Sequence, residues 1–188
     1  LLVRSSHMSD RKEKLSPVTI GFHWLVAIAI ISLIAFGLYI EDLPRGPWKS
    51  ELIGIHKLIG FAVVLVALPR ILWRWRNGWP VHVGDYRSWE KSLSKIVHWV
   101  LIIATVAMPV SGMMYSLGLG YPVPVLGLCE IGPWPQKNQT VADLGEFIHR
   151  NGGNALIAIV VLHIAGALKH HVIDKDGTLR RMLGARVG

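Results

Sequence analysis

The chain has 188 residues, of which 52% are hydrophobic, and its mean hydropathy is +0.42. These values exceed those of most water-soluble domains of this size, so they disfavour a soluble enzyme and indicate a membrane protein. Charged residues make up only 17%, yet the net charge is +8, so the charges must lie outside long apolar stretches. The single cysteine, Cys129, excludes an internal disulfide, a cysteine-based zinc site and a cysteine-ligated iron–sulfur cluster within this sequence.

The apolar residues predict an all-α fold, a four-helix bundle embedded in a membrane. Residues 1–7 are interpreted as the remnant of an expression tag, and residues 8–188 are expected to form one transmembrane domain. The four spans are predicted at 18–40, 52–73, 96–117 and 144–168, because a bilayer crossing needs about 20 helical residues. The first span is too long for a signal-peptide core, so we expect it to stay in the protein. The connection 118–140, rich in proline and glycine, is expected to form a structured cap on the outer face.

The distribution of basic residues predicts the orientation of the bundle. Fifteen of the 20 lysines and arginines lie before the first span, between residues 70 and 95, or after residue 168, and five lie in the two other connections and their adjoining helical turns. Because short cytoplasmic loops carry an excess of Lys and Arg, both termini are expected in the cytoplasm. The protein is therefore expected to cross the membrane several times, with lipid as a partner. No basic patch or motif indicates nucleic-acid binding.

Two histidines in the fourth span indicate a pair of cofactor sites. His149 and His163 are 14 residues apart, which in an α-helix is about 40° short of four turns and a rise of about 21 Å. They therefore share one helix face at two depths and cannot ligate one zinc ion. Histidines inside a membrane are costly unless they face the bundle interior and find a partner. The separation suits two stacked haems, each of which needs axial imidazoles, whereas a lone histidine is more often a satisfied core residue.

The depth of each histidine, measured from the outer end of its span, indicates which residues on the other helices could be partners. His56 and His149 lie about equally far inside the outer ends of their spans, so they can share an outer haem. His23 and His98 both lie near the depth of His163, so either can share an inner haem with it. Depth alone does not decide between them. If His98 is not a ligand, it is expected to hydrogen-bond a haem propionate or water.

Arg70 and several glycines are expected on the same helix faces as the histidines. Arg70 lies 14 residues after His56, so it is expected on the same helix face at the inner level, where it could pair with a haem propionate or a polar quinone group. The alternative is an arginine that snorkels to the headgroups. Glycines on the inferred inner faces would make room for a flat macrocycle, although glycine is also common at membrane helix contacts. These glycines are Gly37, Gly60, Gly112 and Gly153.

These residues resemble the prokaryotic cytochrome b561 family of four-helix di-haem membrane proteins. The resemblance covers nearly all of residues 8–188, and its most specific part is the ending 168–179 followed by Arg181-Met182. The other matching features are Phe22-His23-Trp24, Ile55-His56-Lys57 with Arg70, and His98. The resemblance implies that two b-type haems bind per chain, with His23, His56, His149 and His163 as the axial iron ligands.

The family includes quinone-linked superoxide oxidases. The resemblance therefore also implies a function, and a location in the bacterial inner membrane. We expect single electrons to pass between an outer-face donor, either superoxide or a periplasmic redox partner, and ubiquinone near Arg70 and His98. The enzyme type implied is a superoxide:ubiquinone oxidoreductase, in which no side chain is assigned a catalytic role. Lys49, Lys57 and Arg150 are expected to attract an anionic donor. The alternatives are a haem-bearing membrane anchor of a larger dehydrogenase or hydrogenase, and a transporter or structural protein.

Overall fold

Four long helices dominate the computed structural model, which describes residues 13–187. The long helices are α1 Pro17–Asp42, α2 Pro47–Asn77, α3 Ser88–Gly118 and α4 Gln139–Val172, and a short α5 Thr178–Met182 follows them. All four long helices are long and apolar enough to cross a membrane. The expectation of a mostly helical protein with four membrane-length helices is confirmed. The predicted tag remnant at residues 1–7 lies outside the described residues.

Polar residues set the helix ends beyond the apolar spans. Ser16 caps α1, since its hydroxyl accepts a hydrogen bond from the Thr19 N–H at 3.2 Å. Asn138 caps α4 in the same way, because its side-chain oxygen accepts from the Val141 N–H at 3.1 Å. Such caps satisfy backbone donors that have no partner inside the helix. The helices are therefore several residues longer than the hydropathy pattern predicts.

A small antiparallel hairpin lies between α3 and α4. Strand β1, Val123–Val125, pairs with β2, Cys129–Ile131, so that Val123 stands opposite Ile131. Gly127 turns the chain with a φ of 72°, a conformation that glycine adopts without strain. The connection is structured as expected, but the all-α expectation missed these strands. Three-residue strands between prolines and glycines are too short to show a periodic pattern.

Helices α3 and α4 pack with their backbones close together at glycines. A Cβ atom on Gly118 would lie 2.6 Å from the Ala142 nitrogen, and one on Gly145 would lie 2.8 Å from the Ser111 carbonyl oxygen. Both distances are shorter than real contacts, so only glycine fits. Small residues allow such close approach between membrane helices. A separate apolar cluster joins α1, α2 and α4 and contains Val26, Ile30, Val63 and Leu156.

Both ends of the described chain meet at one end of the bundle. The Val187 N–H donates to the Glu13 carbonyl at 2.9 Å, and Arg186 forms an ion pair with Glu13 at 3.0 Å. The Trp24 indole N–H donates to the Met182 carbonyl at 2.9 Å. We name this the inner end, formed by residues 13–17, 78–87 and 173–187. The opposite end, formed by residues 43–46 and 119–138, is the outer end.

Candidate functional site

The histidines of the outer half form a pair across two helices. The rings of His56 on α2 and His149 on α4 have centroids 6.2 Å apart and planes at 84° to one another. Phe36 of α1 lies beside them, with its ring centroid 6.0 Å from that of His56. The structure therefore brings together the two histidines that depth matching grouped at the outer level.

Helix α3 holds the His149 ring through its backbone. His149 Nδ1 lies 2.9 Å from the Met108 carbonyl oxygen and 3.2 Å from the Ser111 hydroxyl. A carbonyl only accepts, so this bond requires the ring proton on Nδ1 and leaves Nε2 with a lone pair. The Ser111 hydroxyl donates to the same carbonyl at 2.8 Å. Nε2 is therefore the nitrogen of His149 that can bind a metal.

The histidines of the inner half form a group of three. The His23 and His163 ring centroids are 6.1 Å apart with an interplanar angle of 51°, and those of His98 and His163 are 5.2 Å apart at 84°. His98 Nδ1 lies 2.6 Å from the Ser94 carbonyl one turn earlier in α3. All three predicted residues meet at one level, and the His23 and His98 rings differ in their separation from His163.

Arg70 lies beside this inner group, within electrostatic reach of all three imidazoles. Its neighbour Arg74 is buried and hydrogen-bonds both Thr19 and the Gly78 carbonyl. Arg74 thus ties α2 to the start of α1, a role that sequence reasoning did not assign. Arg70 is thus within electrostatic reach of the inner histidines, the level at which its spacing from His56 puts it.

The inner end holds a polar cluster that sequence reasoning missed as a unit. His170 Nδ1 lies 2.7 Å from an Asp174 carboxylate oxygen and 3.6 Å from one of Asp176. The Tyr86 ring stacks on His170 at 4.1 Å, and its hydroxyl donates to Asp176 at 2.9 Å. Burial raises the pKa of Tyr86 to about 12, and the hydrogen bond from Lys169 lowers the pKa of Asp174. The segment 168–179, the most specific part of the family resemblance, was the sequence signal that could have indicated this cluster.

The basic residues expected to attract an anion at the outer end are engaged within the protein. Arg150 forms an ion pair with Glu41 at 2.6 Å and lies 3.6 Å from Glu146. The Lys49 ammonium donates to the carbonyls of Glu41 and Leu43. The third residue, Lys57, donates to the Pro122 carbonyl at 3.1 Å. Paired charges attract a distant anion less than free ones do.

The two histidine groups fit the binding of haem iron. An imidazole nitrogen lies about 2 Å from a metal that it binds, which places the centroids of two opposed rings about 6 Å apart. The outer pair and the His23–His163 pair have centroid separations of 6.2 and 6.1 Å. In addition, His56 Nδ1 is buried and has no hydrogen-bond partner among the described residues.

Comparison with known proteins shows the family of the chain. A family model described as prokaryotic cytochrome b561 matches residues 14–185. The chain belongs to the prokaryotic cytochrome b561 family. It is 30% identical over 177 residues to "Cytochrome b561 homolog 2" of Escherichia coli strain K12, covering 94% of each chain. It is also 30% identical over 179 residues to "Probable superoxide oxidase CybB" of Yersinia pestis, covering 94% of this chain and 99% of that one.

A third relative is "Cytochrome b561 homolog 1" of Escherichia coli strain K12, which is 26% identical over 174 residues and covers 92% of this chain. Cytochrome b561 membership identifies the protein as a membrane haem protein with haem b as its cofactor. With four membrane-length helices, it is a multi-pass protein of the bacterial inner membrane that functions in electron transport.

Proposed function

We propose that this cytochrome b561 binds two haems b and relays single electrons between a donor at its outer end and the membrane quinone pool at its inner end. The observation that carries the proposal is the presence of two interhelical histidine pairs, with centroids 6.2 and 6.1 Å apart, at two levels of one bundle. His149 and His163 of α4 contribute one member to each pair. One helix thus links the two levels.

We propose His56 and His149 as the axial ligands of the outer haem, and His23 and His163 as those of the inner one. At the inner level, the 6.1 Å separation of His23 from His163 matches the separation of about 6 Å for opposed rings on one metal, whereas the 5.2 Å separation of His98 from His163 is shorter. The family resemblance implies the same four ligands. His98 remains the alternative ligand of the inner haem.

Two imidazoles per iron favour electron transfer over oxygen chemistry. When bound, haem iron held by two imidazoles exchanges single electrons and offers no open position to a substrate. The helices contribute rigid positions, because each histidine lies well inside a membrane-length helix. The chain's residues therefore position and insulate the redox centres and do not themselves carry the electrons.

Arg70 and His98 support quinone reduction at the inner level. Arg70 offers a fixed positive charge beside His23 and His163, which suits an anionic propionate or a polar quinone oxygen. The Ser94 carbonyl engages Nδ1 of His98, so its Nε2 can exchange a proton with a neighbouring group. With both termini placed in the cytoplasm by the positive-inside rule, quinone would take its protons from that side.

Superoxide is the donor that the name of the Yersinia pestis relative supports. A quinol is the second candidate donor, and a cleft of about 420 Å³ at the outer end favours it. Lys57, Tyr121 and Glu130 line this cleft, and Lys57 directly follows His56. The pairing of Lys49, Lys57 and Arg150 within the protein reduces the attraction expected for a small anion.

The number of haems and their ligands can be tested together. A pyridine haemochrome titration is expected to give two haems per chain. His149→Ala should remove the outer haem and spare the inner one, and His163→Ala should do the reverse. His171→Ala is the matched control, because His171 is exposed near the end of the same helix. One haem or none in the unaltered protein would refute the proposal.

The donor needs a second experiment. Purified protein is mixed with superoxide, with and without a ubiquinone analogue, and haem reduction is followed by visible absorbance. Rapid reduction that turns over only with quinone is expected, and His149→Ala should slow it. Haem reduction no faster than in a sample without superoxide would exclude superoxide, and the same assay with a quinol would then test the second donor.

A further inference from the structure

The outer histidine rings are confined by glycines of the two other helices. A Cβ atom on Gly37 of α1 would lie 3.3 Å from His56 Cε1. A Cβ atom on Gly112 of α3 would lie 3.1 Å from His149 Cε1 and 3.2 Å from its Nδ1. These distances are tighter than ordinary van der Waals contact, so each glycine lets a ring edge approach the helix backbone. An alanine at either place would push the ring by a few tenths of an ångström.

The two rings of the outer pair differ in their hydrogen bonding. His149 is bonded through Nδ1 to the Met108 carbonyl at 2.9 Å, and Ser111 adds a second contact at 3.2 Å. His56 Nδ1 is buried, and none of the described residues 13–187 offers it a partner. Van der Waals contact with Gly37 and Phe36 is thus what orients His56, whereas His149 is oriented by both hydrogen bonding and contact.

We propose that Gly37 and Gly112 are positioning residues that hold the His56 and His149 rings perpendicular, with the Met108 carbonyl keeping the His149 ring proton on Nδ1. This inference rests on the proposed role of these histidines as ligands of one haem. A hydrogen bond to the far nitrogen of an imidazole ligand fixes its orientation and raises its basicity. The glycines act through the rings and contact no reacting atom by themselves.

The perpendicular arrangement has a spectroscopic consequence. The angle between two axial imidazole planes controls the splitting of the iron d orbitals that interact with them. Perpendicular planes leave these orbitals nearly equal in energy and give a strongly anisotropic low-spin signal in electron paramagnetic resonance. The outer planes meet at 84°, whereas the planes of His23 and His163 meet at 51°. The two centres should therefore give distinct signals, of which the outer is the more anisotropic.

The test compares alanine variants of helical glycines in the purified, oxidised protein. Gly112→Ala and Gly37→Ala should each shift the outer signal and leave the inner signal in place. Gly21→Ala is the matched control, because Gly21 is exposed on α1 and no described atom lies within 4 Å of its Cβ position. Ser111→Ala should shift the outer signal less, with Ser116→Ala as its control, since both serines are buried on α3.

Nuclear magnetic resonance of histidine labelled with nitrogen-15 provides a readout that does not depend on the proposed number of two haems per chain. In the reduced, diamagnetic protein, or in one without haem, it reports which ring nitrogen of His149 carries the proton. We expect Nδ1 in the unaltered protein and a weakened Nδ1 hydrogen bond in Gly112→Ala. A ring proton on Nε2 would overturn the role of the Met108 carbonyl.

The outcomes separate this inference from the proposed function. Fewer than two haems in the unaltered protein would refute the proposed function, and the nitrogen-15 spectra would still test the ring contacts. Two haems, with outer signals in Gly37→Ala and Gly112→Ala equal to that of Gly21→Ala, would overturn the positioning role while the function stands. If Gly112→Ala does not fold, Gly37→Ala, with its longer contact of 3.3 Å, decides the question.

Discussion

The close contact of α3 and α4 predicts a large effect of one added methyl group. In Gly145→Ala, the new Cβ would lie 2.8 Å from the Ser111 carbonyl oxygen and 2.9 Å from Met114 Cβ. The Ser111 oxygen belongs to the backbone, so the two helices must separate. Because His149 lies one helical turn after Gly145, this separation should also lengthen the bond of 2.9 Å between His149 Nδ1 and the Met108 carbonyl.

The magnitude follows from the cost of overpacking. An extra methyl group in a packed interior costs about 1–3 kcal/mol. Gly21→Ala is the control, because the better helix propensity of alanine should stabilise both variants by about 1 kcal/mol and therefore cancels in the comparison. The two variants should differ by about 1–3 kcal/mol in the free energy of unfolding, which for a chain of this length corresponds to about 2–12 °C in Tm.

Two measurements on detergent-solubilised protein check this prediction. Thermal melting followed by circular dichroism should give a lower Tm for Gly145→Ala than for Gly21→Ala. The haem content should fall at the outer site before the inner one, because the contact lies on the outer side of His149. Equal melting temperatures and full haem content in both variants would refute the inferred backbone contact.

Three further predictions concern other parts of the bundle. His98→Ala should keep both haems but slow quinone reduction in a stopped-flow assay, and loss of the inner haem would make His98 the ligand instead. Burial raises the pKa of Tyr86 to about 12, so its contribution to stability is fully present below about pH 10 and is lost as the pH rises to about 12. Melting curves of Tyr86→Phe should lack this alkaline decline. Lys57→Met removes the charged hydrogen bond to Pro122 and should lower stability by about 1.5–3 kcal/mol, with faster limited proteolysis of the outer hairpin; unchanged proteolysis would contradict this.

Features that depend on local spacing were predictable from the sequence. The four spans follow from apolar composition, because a membrane helix satisfies all its backbone hydrogen bonds internally and needs only length and hydropathy. The shared face of His149 and His163 follows from helix geometry alone. The same arithmetic placed Arg70 at the level of the inner histidines, where the structure has it.

Features that depend on the rotation and offset of one helix against another required the tertiary structure. Depth matching could not choose between His23 and His98, because both lie near the level of His163. Their ring separations from His163, 6.1 and 5.2 Å, are available only from the tertiary structure. The ion pair of Arg150 with Glu41 joins residues that are 109 positions apart, so no local sequence pattern predicts it.

The glycines show the same division. Sequence spacing predicted that Gly37 and Gly112 face the bundle interior, but it did not predict which side chains they contact. The structure places His56 and His149 against them, whereas Gly60 has no described atom within 4 Å of its Cβ position. The sequence by itself determines which helices form and which residues share a face, because both depend on contacts within one helix. Partners across the bundle are decided by the packing of all four helices together, since each ring must fit the space that the other three leave.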